Sequence, residues 1–303
     1  MADTAITLVC NPADALLDGD LCDAAADALL EAFGEVRRRR LSEEVAEDFL
    51  IEAETGRESV EAALRPVLGE SAIDIIVQPA ATRKKRLLVA DMDSTIIGQE
   101  CIDELADFAG LKGEIAAITE RAMRGELDFE AALSTRVAML KGLSENALEE
   151  CFRTRIALNP GARALVGTMN ARGAMTVLVS GGFTFFVERV AQLAGFRRFH
   201  ANELIIENGA LAGAVRRPIL GREAKGAALR QHAMENNIPL AATLAVGDGA
   251  NDLDMIRAAG LGVAFRAKPQ VAAAAHAAIR HGDLTALLYA QGLDDDEFQG
   301  VGA

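Results

Sequence analysis

Residues 4–80 alternate between apolar and polar positions in a way that predicts a small α/β unit. Four segments have the length and the apolar pattern of strands: residues 6–10, 35–41, 47–53 and 72–78. Two segments between them, residues 21–33 and 58–68, carry apolar residues at helical spacing. The order β-α-β-β-α-β predicts a ferredoxin-like (ACT-like) domain, an architecture shared by many small regulatory domains that bind amino acids. No residue in it marks a ligand site, so a purely structural or dimerising role is an equal alternative.

A second pattern begins after a short polar and basic connector at residues 79–85. Residues 86–90 form an apolar strand, residues 100–158 are helical throughout, and strands then alternate with helices. This alternation predicts an α/β fold, a Rossmann-like parallel sheet with helices on both faces, and the helical stretch predicts an inserted cap. An Asn-Gly pair between apolar residues predicts a β-hairpin over residues 204–215.

The two patterns together predict two domains. The first is the ferredoxin-like domain, which spans residues 1–82. The second spans residues 83–303, with a core at 83–98 and 159–303 and the helical cap at about 99–158. The strands of the core that follow the cap are predicted at residues 176–180, 244–248 and 262–265.

The composition and the charge narrow the classes of function. Half of the 303 residues are hydrophobic, and the formal net charge is −14 at pH 7. Apolar runs are too short to cross a membrane and the negative charge opposes nucleic acid, so we expect neither a membrane nor a nucleic-acid partner. The first residues show no basic region with a cleavage site, so we expect no secretory signal and a cytoplasmic location. The four cysteines lack metal-ligand spacing and are expected to be reduced and mostly buried.

Three predicted strands of the second domain end in loops rich in polar residues and glycine. The loops are Asp91-Met92-Asp93-Ser94-Thr95, Ser180-Gly181-Gly182 and Gly247-Asp248-Gly249-Ala250-Asn251-Asp252. Because ligands of open parallel sheets bind at the carboxyl ends of the strands, we expect these loops to converge on one site. Crowded carboxylates repel one another unless a cation lies among them, and oxygen ligands of this kind suit Mg²⁺. The sequence therefore predicts a magnesium site.

The Asp91-x-Asp93 pair fits a nucleophile with a proton donor two residues further on. Carboxylate nucleophiles form aspartyl-phosphate intermediates, and alternate positions at a strand end can both face one phosphorus atom. A helix cap or a turn is the alternative explanation for such a pair. Ser180 and the two glycines after it supply a hydroxyl and approachable N–H groups for phosphate oxygens, although an ordinary strand-to-helix turn has the same appearance.

Four motifs give the chain a specific resemblance. It is similar to the haloacid dehalogenase-like phosphatase superfamily and, within it, resembles the phosphoserine phosphatase family. The motifs lie in order over about residues 86–270: the Asp91 loop, Ser180-Gly181-Gly182-Phe183, Ala224-Lys225-Gly226 and the Asp248 loop. Together they are far more specific than any one of them.

The resemblance implies roles for the strand-end carboxylates. Asp91 would be the nucleophile, and Asp93 would be the general acid that protonates the leaving alkoxide and then activates water. The Asp91 side chain, the Asp93 carbonyl and Asp248 would hold Mg²⁺. These roles follow from the positions of the residues in the family's motifs.

The resemblance also implies a phosphate site. Lys225 would offset the charge on the phosphoryl group and on the nucleophile, and Ser180 and Gly181 would hold phosphate oxygens. Asn251 and Asp252 match positions that support the waters of the metal and the substrate site around them. For Lys225 the alternative is a solvated surface lysine.

The cap carries the inference about the substrate. In the resembling family, Glu100 would receive an ammonium and Arg136 a carboxylate, while Met123 and Phe129 would close over the site. An arginine fork suits a carboxylate and a glutamate suits an ammonium. The alternatives are surface charges for Glu100 and Arg136, and helix core for Met123 and Phe129.

The resemblance thus implies hydrolysis of O-phospho-L-serine to L-serine and phosphate, the last step of L-serine biosynthesis. One alternative is a superfamily phosphatase or phosphotransferase that acts on another small phosphate ester, such as phosphohomoserine. Another, of a different class, is a non-catalytic module that senses serine through residues 4–80. The expected partner is the small-molecule substrate, and a homodimer is a mild expectation.

Overall fold

The computed structural model describes residues 3–300, except for the side chain of Met123. Its first part contains, in order, β1 (Thr4–Cys10), α1 (Gly19–Phe33), β2 (Val36–Ser42), β3 (Ala46–Ile51), α2 (Arg57–Leu68) and β4 (Ile73–Pro79). The strands form an antiparallel sheet in the order β2-β3-β1-β4. This order is that of a ferredoxin-like fold, as the sequence predicts.

The first helix shows how the sequence sets these elements. Asp18 caps α1, because its side chain accepts the N–H of Leu21 at 2.8 Å. The helix ends at Gly34, whose φ of +85° favours glycine. One face of α1 is buried against the sheet. The hydrophobic pattern and the two caps therefore fix both the position and the orientation of the helix.

The opposite face of this sheet packs on the rest of the chain. Arg83 donates two hydrogen bonds to Asp48, of 2.8 and 2.7 Å, and also contacts the carbonyl of Ala290. The carboxylate of Asp74 accepts the backbone N–H groups of residues 280–282 at 2.8, 3.0 and 2.8 Å. Both carboxylates are buried, and they lie beside apolar residues of the sheet, such as Val9 and Ile76, that join the core of the second part.

The second part of the chain contains a parallel sheet and a helical cap. Its elements are β5 (Leu87–Ala90), α3 (Cys101–Asp107), α4 (Lys112–Met123), α5 (Phe129–Met139), α6 (Asn146–Arg155), α7 (Ala162–Ala171), β6 (Met175–Phe183), α8 (Thr184–Ala194), β7 (Arg198–Asn202), β8 (Leu204–Glu207), β9 (Ala210–Val215), α9 (Arg222–Glu235), β10 (Thr243–Gly247), α10 (Leu253–Ala258), β11 (Leu261–Phe265), α11 (Pro269–Ala274), β12 (Ala277–Ile279) and α12 (Ala286–Tyr289).

The six-stranded sheet has the order β12-β11-β10-β5-β6-β7, and its strands are parallel. Alternate residues of β5 face opposite layers: Leu87 and Val89 pack toward α9 and α10, and Leu88 and Ala90 toward α7 and α8. The strand order reverses between β5 and β10, and such a switch point is where open α/β sheets bind ligands. The predicted Rossmann-like fold is confirmed.

Helices α3 to α6 form the cap. The chain passes from the core into the cap and back through two adjacent segments. Ile97 pairs with Leu158, and Gly98 donates to the Ala157 carbonyl at 3.4 Å. The hairpin β8–β9 turns at Asn208, which has a φ of +51°, as its sequence predicts. It also receives the base of the cap, because Gly142 donates to the Leu211 carbonyl at 2.9 Å.

Several elements lie outside the sequence prediction, among them β7, α9, α11, β12 and α12. The four cysteines are buried and unpaired, as expected. Within residues 3–300, every helix is too short or too polar to cross a membrane.

Candidate active site

Asp91 lies at the switch point of the sheet, directly after β5. Its backbone N–H donates to the carbonyl of Val246 in β10 at 3.0 Å, so the neighbouring strand fixes where the side chain begins. Its Oδ1 accepts the N–H of Met92 at 2.8 Å, and the residue is only 3% exposed. Burial, followed by the nearby charge of Asp252, raises the pKa of Asp91 well above its ordinary value. The site therefore requires positive charge to keep this carboxyl ionised.

Lys225 supplies that charge from α9. Its Nζ lies 2.7 Å from Asp91 Oδ1 and 2.6 Å from Asp252 Oδ1, and the side chain is 1% exposed. Burial lowers the pKa of Lys225, but Asp252 and Asp91 outweigh it and raise the pKa above the ordinary value. Lys225 is therefore a fixed cation, and the interpretation of it as a solvated surface lysine is wrong.

Asp252 organises the loop after β10. Its Oδ2 accepts the backbone N–H groups of Asp248 and Gly249 at 3.2 and 3.0 Å. Gly247 permits this approach, because a Cβ at that position would lie 2.4 Å from the Asp252 Cγ. Asp248 accepts the Thr95 hydroxyl at 3.1 Å, and burial, followed by Asp252, raises its pKa to about 7. Both aspartates thus belong to one buried carboxylate cluster.

Asp93 is held by two donors in a tight turn. Its Oδ1 accepts the backbone N–H of Cys101 at 2.8 Å, and its Oδ2 accepts the Ser180 hydroxyl at 3.1 Å. The next residue, Ser94, has a φ of +54°, which is uncommon for a residue with a side chain. Burial raises the pKa of Asp93, and the two hydrogen bonds oppose this shift. A carboxyl that is more easily protonated than usual is suited to acid–base work.

The loop after β6 brings Ser180 beside Asp93 and exposes its glycines to the cap. The Ser180 hydroxyl oxygen accepts the N–H of Gly182 at 2.8 Å. The ring of Phe129 lies directly on Gly181, where an added Cβ would be 2.5 Å from Phe129 Cζ. Asn202 locks this loop, since its Nδ2 donates to the Gly181 carbonyl at 2.9 Å and its Oδ1 accepts the Leu220 N–H at 2.7 Å.

The cap contributes the half-buried carboxyl of Glu100 and the buried guanidinium of Arg136. Glu100 accepts the Ser94 hydroxyl at 2.7 Å, and burial, followed by the charge of Asp93, raises its pKa well above the ordinary value. Arg136 is 5% exposed, and burial lowers its pKa. It donates from Nη1 to the Thr119 hydroxyl at 2.9 Å. The interpretation of Glu100 and Arg136 as ordinary surface charges is therefore wrong.

These groups line one cavity of about 60 Å³ between the core and the cap. One water molecule needs roughly 10–15 Å³, so the cavity has room for a small ligand group or several waters. Its lining includes Asp91, Asp93, Glu100, Phe129, Arg136, Ser180, Gly181 and Asn251. The side chain of Met123 lies outside the described part of the molecule. Lys225 contacts the lining residue Asp91 directly. Asp252 bonds to Lys225 and to the backbone N–H of Asp248, so both aspartates lie behind the lining.

A metal ion fits the carboxylate cluster. One side-chain oxygen from each of Asp91, Asp248 and Asp252 lies within 4.8 Å of the other two, and all three residues are buried. The Oδ1 of Asn251 is buried without a hydrogen-bond partner, as expected for an atom that faces a ligand or a metal-bound water. Asp252 has both oxygens engaged by N–H groups and by Lys225, so Asp91 and Asp248 are the better-placed carboxylate ligands.

Sequence reasoning missed two residues that support the site. Thr119 contacts Arg136, and Asn202 connects the Gly181 loop to the segment before Lys225. Thr119 lies within a helical pattern that gives no sign of its partner. Asn202 is the last residue of the polar strand β7. Its position two residues before the hairpin that the sequence does predict is the one signal that could have drawn attention to it.

The Rossmann-like sheet, the carboxylates at its switch point and the helical cap together define a capped α/β enzyme with an acidic, metal-compatible site. Residues 88–257 match the model of the haloacid dehalogenase-like hydrolase family. The chain belongs to this family.

Two relatives are similar to the chain over most of its length. A phosphoserine phosphatase of Streptomyces coelicolor is 43% identical over 244 residues, which cover 80% of this chain and 59% of that protein. A phosphoserine phosphatase of Streptococcus thermophilus is 48% identical over 200 residues, which cover 66% of this chain and 93% of that protein. The chain thus spans less than two thirds of the first relative and nearly all of the second.

Two solved structures extend the comparison. A probable phosphoserine phosphatase from Vibrio cholerae is 31% identical, with a TM-score of 0.75 over 96% of this chain and 86% of that one. A phosphoserine phosphatase described as a phospho-aspartyl intermediate analogue is 40% identical, with a TM-score of 0.65 over 68% of this chain and 98% of that one.

Proposed function

We propose that the chain is a phosphoserine phosphatase, which hydrolyses O-phospho-L-serine to L-serine and phosphate. One observation carries the proposal: one cavity between core and cap is lined by Asp91, Asp93 and Ser180 on the core side and by Glu100 and Arg136 on the cap side. The first group suits a phosphate ester, and the second suits the ammonium and carboxylate of an amino acid. Relatives that carry this name support the proposal. The reaction would be the last step of L-serine biosynthesis.

In the first half of the reaction, Asp91 would attack the phosphorus atom. Its Oδ1 is engaged by Lys225 and by the Met92 N–H, and these two contacts fix the orientation of the attacking carboxylate. The bond between phosphorus and the serine oxygen breaks, and Asp93 gives its proton to that oxygen. The products are L-serine and an aspartyl phosphate on Asp91, an intermediate named in the description of one similar structure.

In the second half, Asp93 would take a proton from a water molecule, and the water oxygen would attack the aspartyl phosphate. Phosphate leaves and Asp91 returns to its carboxylate form. Ser180, which donates to Asp93 in the free enzyme, would turn its hydroxyl to a phosphate oxygen, and Gly181 would offer its N–H there. Lys225 stays between Asp91 and Asp252 throughout and offsets negative charge.

We propose Mg²⁺ as the metal, held by the Asp91 and Asp248 carboxylates and by the Asp93 carbonyl, with Asn251 and Asp252 in support. An all-oxygen donor set with few carboxylates favours Mg²⁺ over softer metals. The ion would stabilise the charge on the transferring phosphoryl group and keep Asp91 ionised. Met123 and Phe129 would close over the substrate. The contact of Phe129 with Gly181 supports this role for Phe129.

A substrate comparison tests the proposal. Wild type, Glu100→Gln and Arg136→Lys are assayed with Mg²⁺ on O-phospho-L-serine and on p-nitrophenyl phosphate. We expect both variants to lose about tenfold or more in kcat/KM on O-phospho-L-serine and little on the aryl ester, because charged hydrogen bonds contribute about 1.5–3 kcal/mol. Glu104→Gln is the matched control, because Glu104 pairs with Lys112 and lies outside the cavity lining.

Each contrary result points to a different alternative. Wild-type activity on the aryl ester without activity on O-phospho-L-serine would favour another small phosphate ester, such as phosphohomoserine. Absence of Mg²⁺-dependent phosphate release from every ester would favour a non-catalytic, serine-sensing module.

We propose further that residues 1–82 and 83–303 are separate domains, with a core at 83–98 and 159–303 and a cap at about 99–158. The antiparallel sheet of the first part and the parallel sheet of the second support this division. A cytoplasmic location and a homodimer are part of the same proposal, and size-exclusion chromatography with light scattering tests the dimer.

A further inference from the structure

The hydrogen bonds around Arg136 form a short chain across three cap helices. Arg136 in α5 donates from Nη1 to the Thr119 hydroxyl in α4 at 2.9 Å. Thr119 in turn donates to Asp103 Oδ1 in α3 at 2.6 Å. Arg136 and Thr119 are 5% and 3% exposed, so water competes little for these bonds.

The direction of the bonds is fixed by chemistry. A guanidinium has only donors, so Thr119 must accept from Arg136. Its single proton then goes to an acceptor, and the carboxylate of Asp103 at 2.6 Å is a stronger one than the carbonyl of Ile115 at 3.1 Å. The Asp103 carboxylate therefore turns a lone pair of the hydroxyl toward Arg136.

This arrangement keeps the guanidinium open. Nε of Arg136 donates to the Ala132 carbonyl at 3.2 Å and Nη1 to Thr119, which uses two of its five N–H groups. Among the described residues, Arg136 forms no ion pair with a carboxylate, and the Thr119 hydroxyl connects it to Asp103. A direct ion pair with Asp103 would have to break before a substrate carboxylate could bind.

We infer that Thr119 is a positioning residue for substrate specificity: its hydroxyl orients Arg136 and separates it from Asp103, so that the guanidinium fork stays available to the carboxylate of an amino-acid phosphate. This inference rests on the proposed function, in which Arg136 binds that carboxylate. Thr119 lines the cavity on the cap side, next to Arg136, through which it acts, and the phosphoryl-transfer groups Asp91 and Asp93 lie on the core side.

Three enzymes and two substrates test the inference. Wild type, Thr119→Val and Thr119→Ser are assayed with Mg²⁺ on O-phospho-L-serine and on O-phosphoethanolamine, which keeps the ammonium and lacks the carboxylate. Valine has nearly the shape of threonine and lacks the hydroxyl, and serine keeps the hydroxyl. We expect Thr119→Val to raise KM for O-phospho-L-serine about tenfold with kcat changed less than about threefold. Thr119→Ser stays near wild type, and the turnover of O-phosphoethanolamine is the same in all three enzymes.

Other results overturn the inference in recognisable ways. An unchanged KM in Thr119→Val means that the hydroxyl does not orient Arg136. Equal losses of activity on the two substrates in Thr119→Val mean that Thr119 only stabilises the fold. Loss of activity on both substrates in Thr119→Ser means that the methyl group of Thr119, and not its hydroxyl, is what matters. A wild type without preference for O-phospho-L-serine over O-phosphoethanolamine removes the proposed substrate and, with it, the inference.

Discussion

The Nζ of Lys225 lies between two buried carboxylates, 2.7 Å from Asp91 Oδ1 and 2.6 Å from Asp252 Oδ1. One cation thus offsets the negative charges of the proposed nucleophile, Asp91, and of Asp252, which shapes the Asp248 loop. Since burial and mutual repulsion raise the pKa of Asp91, this balance decides how much of it is ionised. Lys225 connects the electrostatics of the site to the position of its loops.

Replacement of Lys225 by methionine should therefore affect both activity and stability. We expect kcat/KM for phosphate release to fall by about 10²–10³, the usual effect of removing one group that stabilises developing charge. We expect the free energy of unfolding to fall by about 3–5 kcal/mol, because the two carboxylates lose a buried partner. Lys268→Met, at an exposed lysine, is the matched control. Activity in Lys225→Met within threefold of wild type would contradict this role.

The contact between Phe129 and Gly181 predicts the effect of one methyl group. In Gly181→Ala the new Cβ would lie 2.5 Å from Phe129 Cζ, so the ring or the loop must move. We expect kcat/KM to fall at least tenfold, since Gly181 also lines the cavity. Gly113→Ala, at a cap glycine with open space around it, should keep full activity and gain about 0.5–1 kcal/mol of helix stability. A fully active Gly181→Ala would show that the closed cap of this structure is not needed for turnover.

The ion pair of Asp48 and Arg83 predicts how firmly the first sheet is attached. The pair is buried, and Arg83 also donates to the Ala290 carbonyl. Arg83→Met would leave Asp48 charged and unpaired, at an expected loss of about 3–5 kcal/mol in urea unfolding. The exposed arginine of the Arg39–Asp294 pair gives the control: Arg39→Met should lose at most about 1 kcal/mol. Activity per folded molecule should be unchanged, because the pair lies outside the cavity lining. A loss below 1 kcal/mol in Arg83→Met would show that the pair is not a firm attachment.

The histidine pair between β7 and α9 predicts a dependence of stability on pH. The Nε2 atoms of His200 and His232 lie 2.8 Å apart, so one ring donates to the other. Burial lowers the pKa of both, and for His200 the neighbouring His232 lowers it further while Glu235 opposes the shift. The unfolded chain then binds these protons more tightly than the folded one. Stability is therefore full above about pH 6.5 and decreases as the pH falls below it.

Thermal unfolding of His200→Gln between pH 7.5 and 5 checks this prediction. The variant removes one of the two titrating rings, so its stability should decrease less steeply with acid than that of the wild type, by about 1.4 kcal/mol for each unit of pKa shift removed. The exposed His281→Gln is the control. An equally steep decrease of stability with acid in His200→Gln and in the wild type would show that the histidine pair does not cause this pH dependence.

Much of the fold follows from the hydrophobic pattern, because strands such as β1 and β5 are apolar and end at clear breaks. The pattern fails at β7, an edge strand in which Arg198 and Phe199 are exposed and His200 is half-buried. It also fails at α9, which is mostly polar and contains Gly226. There a Cβ would lie 3.1 Å from that of Asp254, so the close packing of α9 on α10 favours glycine against helix propensity.

The residues of the candidate site are likewise predictable from the sequence only in part. The strand-end loops predict that Asp91, Ser180 and Asp248 converge, and the geometry brings them together at the switch point. The partners of Asn202 and Thr119 are 17 to 21 residues away along the chain or on another helix, a distance that a local pattern does not register. The placement of Arg136 in the same cavity as Asp91 and Ser180 depends on how the cap packs, and only the resemblance to a family anticipates it.

The most direct test of the account is to trap the phosphoryl group on Asp91. Wild type and Asp91→Asn are mixed with O-phospho-L-serine and Mg²⁺, quenched in acid, treated with borohydride and digested, and the peptide that contains residue 91 is analysed by mass spectrometry. An aspartyl phosphate is reduced to homoserine, so we expect homoserine at position 91 in the wild type, only in the presence of substrate. We expect the Asp91→Asn variant to show neither this product nor phosphate release above background. Phosphate release near the wild-type rate in Asp91→Asn, or a trapped phosphoryl group on another residue, would contradict the central claim.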